Sequence, residues 1–252
     1  MKTYQIHLIR HGVTDANLSG KYIGRTDESV TMAGMRELEE ARKKGGYPTA
    51  DVYYTSPRLR CIQTMYALYP GQDCYEVPGF DEMNFGDWEG KSADDLQGDE
   101  TFTAWLQDSM RNSPPNGENT GEFYARICRT FEMIVDGMIR SGVQSAVIVT
   151  HAGIIMHLLA RYGLPQASFY DWMTEPGHGY SLRIMPSLWM NGQKVEVFDT
   201  IPPLGVEVEG AQRRMLDLGR EAANRSYGET RPDDEINRDD WVPFSHDEED
   251  EP

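Results

Sequence analysis

Residues 146–150 read AVIVT, an unbroken apolar run closed by a hydroxyl and followed at once by His151. A strand without alternating polar residues has no face to turn to water, so it belongs inside a sheet covered on both sides. Shorter β-branched or aromatic runs recur up to about residue 200. They predict strands at Tyr4–Ile9, Asp51–Thr55, Asp73–Val77, Ser145–Thr150, Tyr180–Met185 and Lys194–Asp199. Between them, helical periodicity predicts helices over Thr31–Lys44, Arg58–Leu68, Thr101–Met110, Gly121–Arg140 and Ala152–Tyr162. Strands alternating with helices in this way give an α/β three-layer sandwich with a mainly parallel sheet.

In such sheets, ligands gather beyond the carboxyl ends of the strands. The first expected strand is followed by Arg10 and His11, the second by Ser56, Pro57, Arg58 and Arg60, and AVIVT by His151. Three strand ends thus carry cationic or imidazole groups. The chain as a whole carries a net charge of -17, which argues against nucleic acid and anionic membrane surfaces as partners, since both need a broad basic face. A small anionic ligand would have to be held by a dense local cluster of positive charge that outweighs the overall field. The strand-end residues are candidates for that cluster.

No apolar run reaches the roughly 18–20 residues of a membrane helix. The opening MKTYQIHLIRHG has the alternation of a strand rather than the apolar block of a signal peptide, and is expected to be mature structure. Cys61, Cys74 and Cys128 are odd in number and widely spaced, which fits neither a disulfide framework nor a zinc site. A reduced, cytoplasmic setting is the expectation. Residues 1–204 form the expected main domain. Within it, 79–121 is rich in Gly, Asp and Asn and reads as an inserted lid segment. Residues 205–252 read as a charged helix (Ala211–Arg225) and an acidic C-terminal tail, in which Trp241, Val242 and Phe244 could dock onto the body.

Phosphoryl transfer needs an in-line nucleophile, positive donors for the equatorial oxygens and a proton for the leaving oxygen. Arg suits the second task because its fork donates two hydrogen bonds to one phosphate and keeps its charge. In LIRHGVTDAN, Arg10 and His11 end a strand, Gly12 lets backbone approach a ligand, and Thr14 and Asn17 offer further donors.

RHGVTDAN at 10–17, SPRLRCIQT at 56–64, DEMNFGDWEG at 81–90 and VTHAG at 149–153 together resemble the histidine phosphatase superfamily, also called phosphoglycerate mutase-like, over residues 1–200. The resemblance implies that His11 is the nucleophile that becomes phosphohistidine. It implies that Arg10, Arg60 and His151 grip the phosphoryl oxygens, with Asn17 as a neutral helper. Glu82 would protonate the leaving oxygen and then activate water. Asp81 beside it is the alternative acid. Glu118, in PPNGEN, is similar to a family loop that closes on the site, though a helix-start carboxylate fits equally. His178, in PGHGYSL, falls where the resemblance places a loop over the pocket. Arg58 is expected to face away or assist peripherally, Trp88 and Glu89 to pack the insertion, and His7 and His157 to be packing residues. His11 has to be neutral to attack, whereas His151 is expected to serve better charged. The resemblance implies no metal and no cofactor.

The family holds phosphatases and phosphoglycerate mutases. Met83, not Arg, follows Glu82, and the segment 84–121 contains only Lys91 and Arg111 as cations. That favours a phosphatase acting on a small phosphorylated metabolite over a mutase handling bisphosphorylated glycerate. The alternative of another class is a non-catalytic phosphate-sensing protein, disfavoured because nucleophile, arginines and acid are all present.

Overall fold

The computed structural model describes residues 2–203. The expected charged helix and acidic tail, with Trp241, Val242 and Phe244, lie outside the described residues. AVIVT forms β4 (Ser145–Thr150), which pairs in parallel with β1 (Tyr4–Arg10), Arg10 standing opposite Thr150. On its other side β4 pairs in parallel with β2 (Val52–Thr55), and β2 with the short edge strand β3 (Tyr75–Glu76). Beyond β1 the direction reverses. β6 (Gly179–Ile184) runs antiparallel to β1, β7 (Val195–Ile201) antiparallel to β6, and β5 (Gly163–Leu164) parallel to β7. The order is β3-β2-β4-β1-β6-β7-β5, a mostly parallel seven-stranded sheet in an α/β fold, as the strand–helix alternation predicts.

The period-2 geometry of β1 and β4 sends apolar side chains to both faces. Ile6, Leu8, Ala146 and Ile148 join one buried cluster, and Ile9, Val147 and Val149 the other. The first cluster is completed by α5 (Thr120–Ser141) and α6 (Ala152–Tyr162). α5 lays down Phe123, Ile127, Phe131, Val135 and Met138 at three- and four-residue steps, one continuous stripe. Asn119 caps its start by accepting from the Gly121 N–H, and Gly142 ends it in a left-handed turn. The second cluster is covered by α2 (Met32–Lys44) and α3 (Leu59–Leu68), through Leu38 and through Cys61, Met65 and Leu68.

In the segment 79–121, Trp88 stacks edge-on against Phe102 and Trp105 at 5.2 and 5.4 Å between centroids. These rings share the cluster of α5 and α6. The helix expected over Thr101–Met110 is α4 (Glu100–Gln107), ended where the Asn112 side chain takes the carbonyls of Ala104 and Asp108. The expected strand Asp73–Val77 shrinks to the two residues of β3, both exposed at the sheet edge and stopped by Pro78. Three short elements lack a sequence signal: α1 (Asp15–Leu18), β5 and α7 (Pro186–Gly192). Among the described residues no helix is long and apolar enough to cross a membrane.

Candidate active site

Parallel register decides which strand ends meet. The His11 N–H donates to the Thr150 carbonyl at 2.9 Å and the Ser56 N–H to that of Val149 at 2.9 Å. Ser56, His151 and His11 therefore stand side by side beyond the carboxyl ends of β2, β4 and β1. The two imidazole centroids are 5.3 Å apart, edge to face.

His11 is buried, and its Nδ1 lies 2.8 Å from its neighbour's carbonyl, Gly12 O. A carbonyl only accepts, so Nδ1 carries the hydrogen and Nε2 holds the free lone pair. Burial, then the charges of Arg10 and Arg60, push the His11 pKa well below its ordinary value. The ring is thus neutral, with one nitrogen available as a nucleophile. Gly12 lets Leu38 pack close, since a Cβ would stand 2.7 Å from Leu38 Cδ1 and that side chain would have to move. Its N–H donates to Thr64 Oγ1, which donates in turn to the Arg60 carbonyl, so the His11 loop is tied to α3.

Arg60, on the first turn of α3, is 1% exposed. Its guanidinium donates to the carbonyls of Gly24 and Thr26 at 2.7 and 3.0 Å. Arg10 donates from Nη1 to the Thr174 carbonyl at 2.7 Å, while its buried Nε has no protein partner. Burial lowers the Arg10 pKa to about 10, against the opposing fields of Glu82 and Glu175. Buried cations held by dipoles rather than carboxylates remain costly, and an anion between them relieves that cost.

His151 is also buried, with Nε2 2.8 Å from Ser56 Oγ and the Cys61 sulfur alongside at 3.6 Å. Its expected charge is not what these surroundings favour. Burial first, then Arg60, His11, Arg58 and Arg10, hold its pKa well below the ordinary value, so the ring is neutral. Cys61 is inert, its thiol pushed up to about 12 by burial.

Glu82 and Asp81 separate cleanly. Asp81 is taken up by a bidentate pair with Arg58, at 2.8 and 3.1 Å, and accepts from Ser56 Oγ at 3.3 Å. Arg58 is therefore peripheral, a brace for this pair that also reaches the Arg25 carbonyl. Glu82 has no such partner. Its pKa is raised, chiefly by burial, against the Met83 N–H, Arg60, the Gly153 N–H and Arg126. It packs so closely on α6 that a Cβ on Gly153 would sit 2.9 Å from Oε1.

Thr14 and Asn17 form a reciprocal capping box at the start of α1: the Thr14 hydroxyl accepts from the Asn17 N–H, and the Asn17 side-chain Oδ1 from the Thr14 N–H. The Asn17 Nδ2 donors remain for a ligand. The loop Thr174–His178 closes over the end of β1: the His178 carbonyl accepts from the Arg10 N–H, and the Gly177 N–H donates to Arg10 O and His11 O. His178 itself is half-buried, with Nδ1 donating to the Pro176 carbonyl at 3.1 Å. Of the two readings of Glu118, its place is that of a carboxylate at the start of a helix, just before the Asn119 cap of α5. Both its carboxylate oxygens are held by Arg126 at 2.8 and 2.9 Å, which leaves it no free edge to close on a substrate. Glu89 accepts from the N–H groups of Gly24, Arg25, Thr26 and Phe85 and so fixes the loop that holds Arg60. His7, paired with Ser181, and His157, bonded to the Gly153 carbonyl, are packing residues.

His11, His151, Arg10, Arg60 and Glu82 thus stand close enough to act on one another's charge. Sequence reasoning noted Ser56 at its strand end without giving it a role, and passed over Arg126 and Thr174. Ser56 carried a signal, a hydroxyl at a strand end before Pro57. Arg126 lies mid-helix and Thr174 acts through its backbone, so neither could be singled out.

A family profile, Histidine phosphatase superfamily (branch 1), matches residues 6–191. An adenosylcobalamin/alpha-ribazole phosphatase of Salmonella typhimurium is 31% identical over 178 residues, covering 69% of this chain and 87% of that protein. A 2,3-bisphosphoglycerate-dependent phosphoglycerate mutase of a Bradyrhizobium species is 28% identical, covering 60% of this chain and 77% of its own. Among solved structures, the alpha-ribazole phosphatase of Shigella flexneri superposes with a TM-score of 0.68 at 24% identity, over 80% of this chain and 98% of that one. A phosphoglycerate mutase of Thermus thermophilus superposes with a TM-score of 0.58 at 22% identity, over 78% and 98%.

Proposed function

The chain belongs to the histidine phosphatase superfamily and is a phosphatase, and from that premise we propose that it hydrolyses a small phosphate monoester through a phosphate carried on His11, without a metal. The observation that carries this reading is the 2.8 Å bond from His11 Nδ1 to the Gly12 carbonyl, which leaves Nε2 as the one nucleophilic nitrogen among the arginines. His11 Nε2 attacks phosphorus and the P–O bond to the leaving group breaks. Arg10, Arg60 and His151 hold the three equatorial oxygens, and Asn17 adds a neutral donor. Glu82, whose pKa burial raises, gives a proton to the departing oxygen, then as a carboxylate takes one from the water that attacks the phosphohistidine. The incoming dianion favours the charged form of His151, so that ring gains its proton as substrate binds. His178, in the loop over the end of β1, is the candidate for contact with the rest of the substrate.

Hydrolysis rather than mutase chemistry is supported by the cations of the inserted segment. Lys91 and Arg111 are both exposed, and Arg111 pairs with Asp108. Nothing there meets the carboxylate of a phosphoglycerate. For the substrate, FGDWEG and THAGIIMHLLARYGLP resemble the corresponding stretches of alpha-ribazole phosphatases, so alpha-ribazole phosphate is the first metabolite to test.

The test is rapid quenching with a labelled phosphomonoester in the presence of EDTA. An acid-labile, alkali-stable phosphoryl group is expected on the enzyme and absent from His11→Ala. Turnover that dies with EDTA, or survives His11→Ala, would refute the reading. Isomerisation of 3-phosphoglycerate dependent on 2,3-bisphosphoglycerate would replace it with a mutase.

A further inference from the structure

The segment that presents Glu82 has no regular structure of its own: it runs from the turn Pro78–Phe80 to the turn Gly86–Trp88. One guanidinium brackets it. Arg126, on α5, donates from Nη1 to the carbonyls of Gly79 and Asp81 at 3.0 and 2.9 Å, just before the acid. Its other nitrogens grip Glu118, whose Oε2 accepts from the Asn84 N–H, while the Glu118 N–H donates to the Asn84 carbonyl at 2.8 Å. The guanidinium carbon also lies 5.2 Å from the centre of the Phe123 ring, which is buried in the core. Both ends of the four-residue stretch Asp81–Asn84 are therefore referred, directly or through Glu118, to a helix whose stripe is locked in the core.

We infer that Arg126, with Glu118 as its counter-ion, is a positioning residue that aims the Glu82 carboxyl at the leaving oxygen. The inference deepens the proposed function and rests on it, because it assumes that Glu82 is the acid. A second observation agrees with the geometry. Glu82 is faced by Arg10 at the end of β1, Arg60 and Cys61 on α3, the Gly153 amide on α6 and Arg126 on α5. Arg126 is the cation of this set that reaches into no phosphate cradle, so removing it changes the surroundings of the acid and not the grip on phosphate. Its field opposes burial and favours the carboxylate.

The experiment compares kcat/KM, which reports only steps through phosphoenzyme formation, for an alkyl phosphate and for p-nitrophenyl phosphate. For Arg126→Met, the alkyl substrate is expected to lose about a hundredfold, the scale of a small misplacement of a reacting group. The aryl substrate, whose leaving group needs no proton, is expected to be nearly unchanged. The alkaline limb of the alkyl profile should move to higher pH, since Glu82 loses a neighbouring positive charge. Arg126→Lys should keep the limb in place without restoring the alkyl rate, because one ammonium cannot bridge two carbonyls and a carboxylate. Should Arg126→Met not fold, Glu118→Gln carries the same test of leaving-group selectivity. Equal losses on both substrates with an unmoved limb, or no loss at all, would overturn the inference. Glu82→Gln measured in parallel separates the causes. If it discriminates between the substrates and the Arg126 variants do not, only the positioning role falls; if Glu82→Gln does not discriminate, the acid assignment fails and takes this inference with it.

Discussion

Replacing Glu89 by Ala tests how far the cationic cradle depends on a carboxylate that touches no phosphate. Its two oxygens accept from the N–H groups of Gly24, Arg25, Thr26 and Phe85, at 3.0 to 3.1 Å. The carbonyls of that same loop, Gly24 and Thr26, hold the Arg60 guanidinium. Arg25 and Thr26 are exposed, so their amides can turn to water. Gly24 is buried and Phe85 half-buried, and their amides would be left without acceptors. At roughly 1–3 kcal/mol for each unsatisfied buried donor, the loss should be about 3 kcal/mol. Urea unfolding measures it, as a shift in midpoint at unchanged slope. The same variant should weaken competitive inhibition by inorganic phosphate about tenfold or more, because Arg60 loses its fixed acceptors. The effect has a pH signature. Burial alone would raise the Glu89 pKa, but bonds from the Thr26 side chain and from the backbone of Phe85, Gly24 and Arg25 outweigh it and leave the pKa lowered. A carboxylate depressed in the fold contributes stability that is full above its unfolded pKa and is lost as pH falls through the folded one. The difference between wild type and Glu89→Ala should therefore shrink in acid. A destabilisation under about 1 kcal/mol with unchanged phosphate inhibition would refute the chain from Glu89 through the loop to Arg60.

Glu82→Gln should slow alkyl phosphates by about a hundredfold to ten-thousandfold and aryl phosphates far less, and equal slowing would count against Glu82 as the acid. The acid limb of kcat/KM should lie well below pH 6.5, because burial and two guanidiniums hold His11 neutral there, and a limb at or above 6.5 would contradict that. Ser56→Ala should cut kcat/KM by roughly tenfold, since His151 loses its 2.8 Å partner, with Ser56→Thr restoring much of it; a silent Ser56→Ala would show that the hydroxyl does not set the ring. Burial lowers the pKa of His7 from 6.5 to about 4, so the unfolded chain binds a proton that the fold refuses. Stability should fall as pH drops through that window, by about 3 kcal/mol in all, and urea titrations of His7→Gln should show the slope flattened.

Much of this molecule was legible along the chain. AVIVT announced a strand buried on both faces, and the rule that ligands gather at carboxyl ends pointed to Arg10, His11, Ser56, Arg58, Arg60 and His151, among which the motif resemblance preferred Arg60 to Arg58. Such features are local: periodicity, strand ends and short motifs are carried by neighbouring residues, so a linear reading can find them. What the chain could not say was which groups share a hydrogen bond. Asp81 and Glu82 are adjacent and chemically alike, and only the position of Arg58, on a different element, ties up the first and leaves the second free for chemistry. The chain left Glu118 open between a closing loop and a helix start, and only α5, bringing Arg126 against it, decided its partner. His151 was expected to carry charge, yet burial among three guanidiniums keeps it neutral. Protonation state and partner choice depend on the dielectric and on charges distant in sequence, and both exist only once the strands have been set in register.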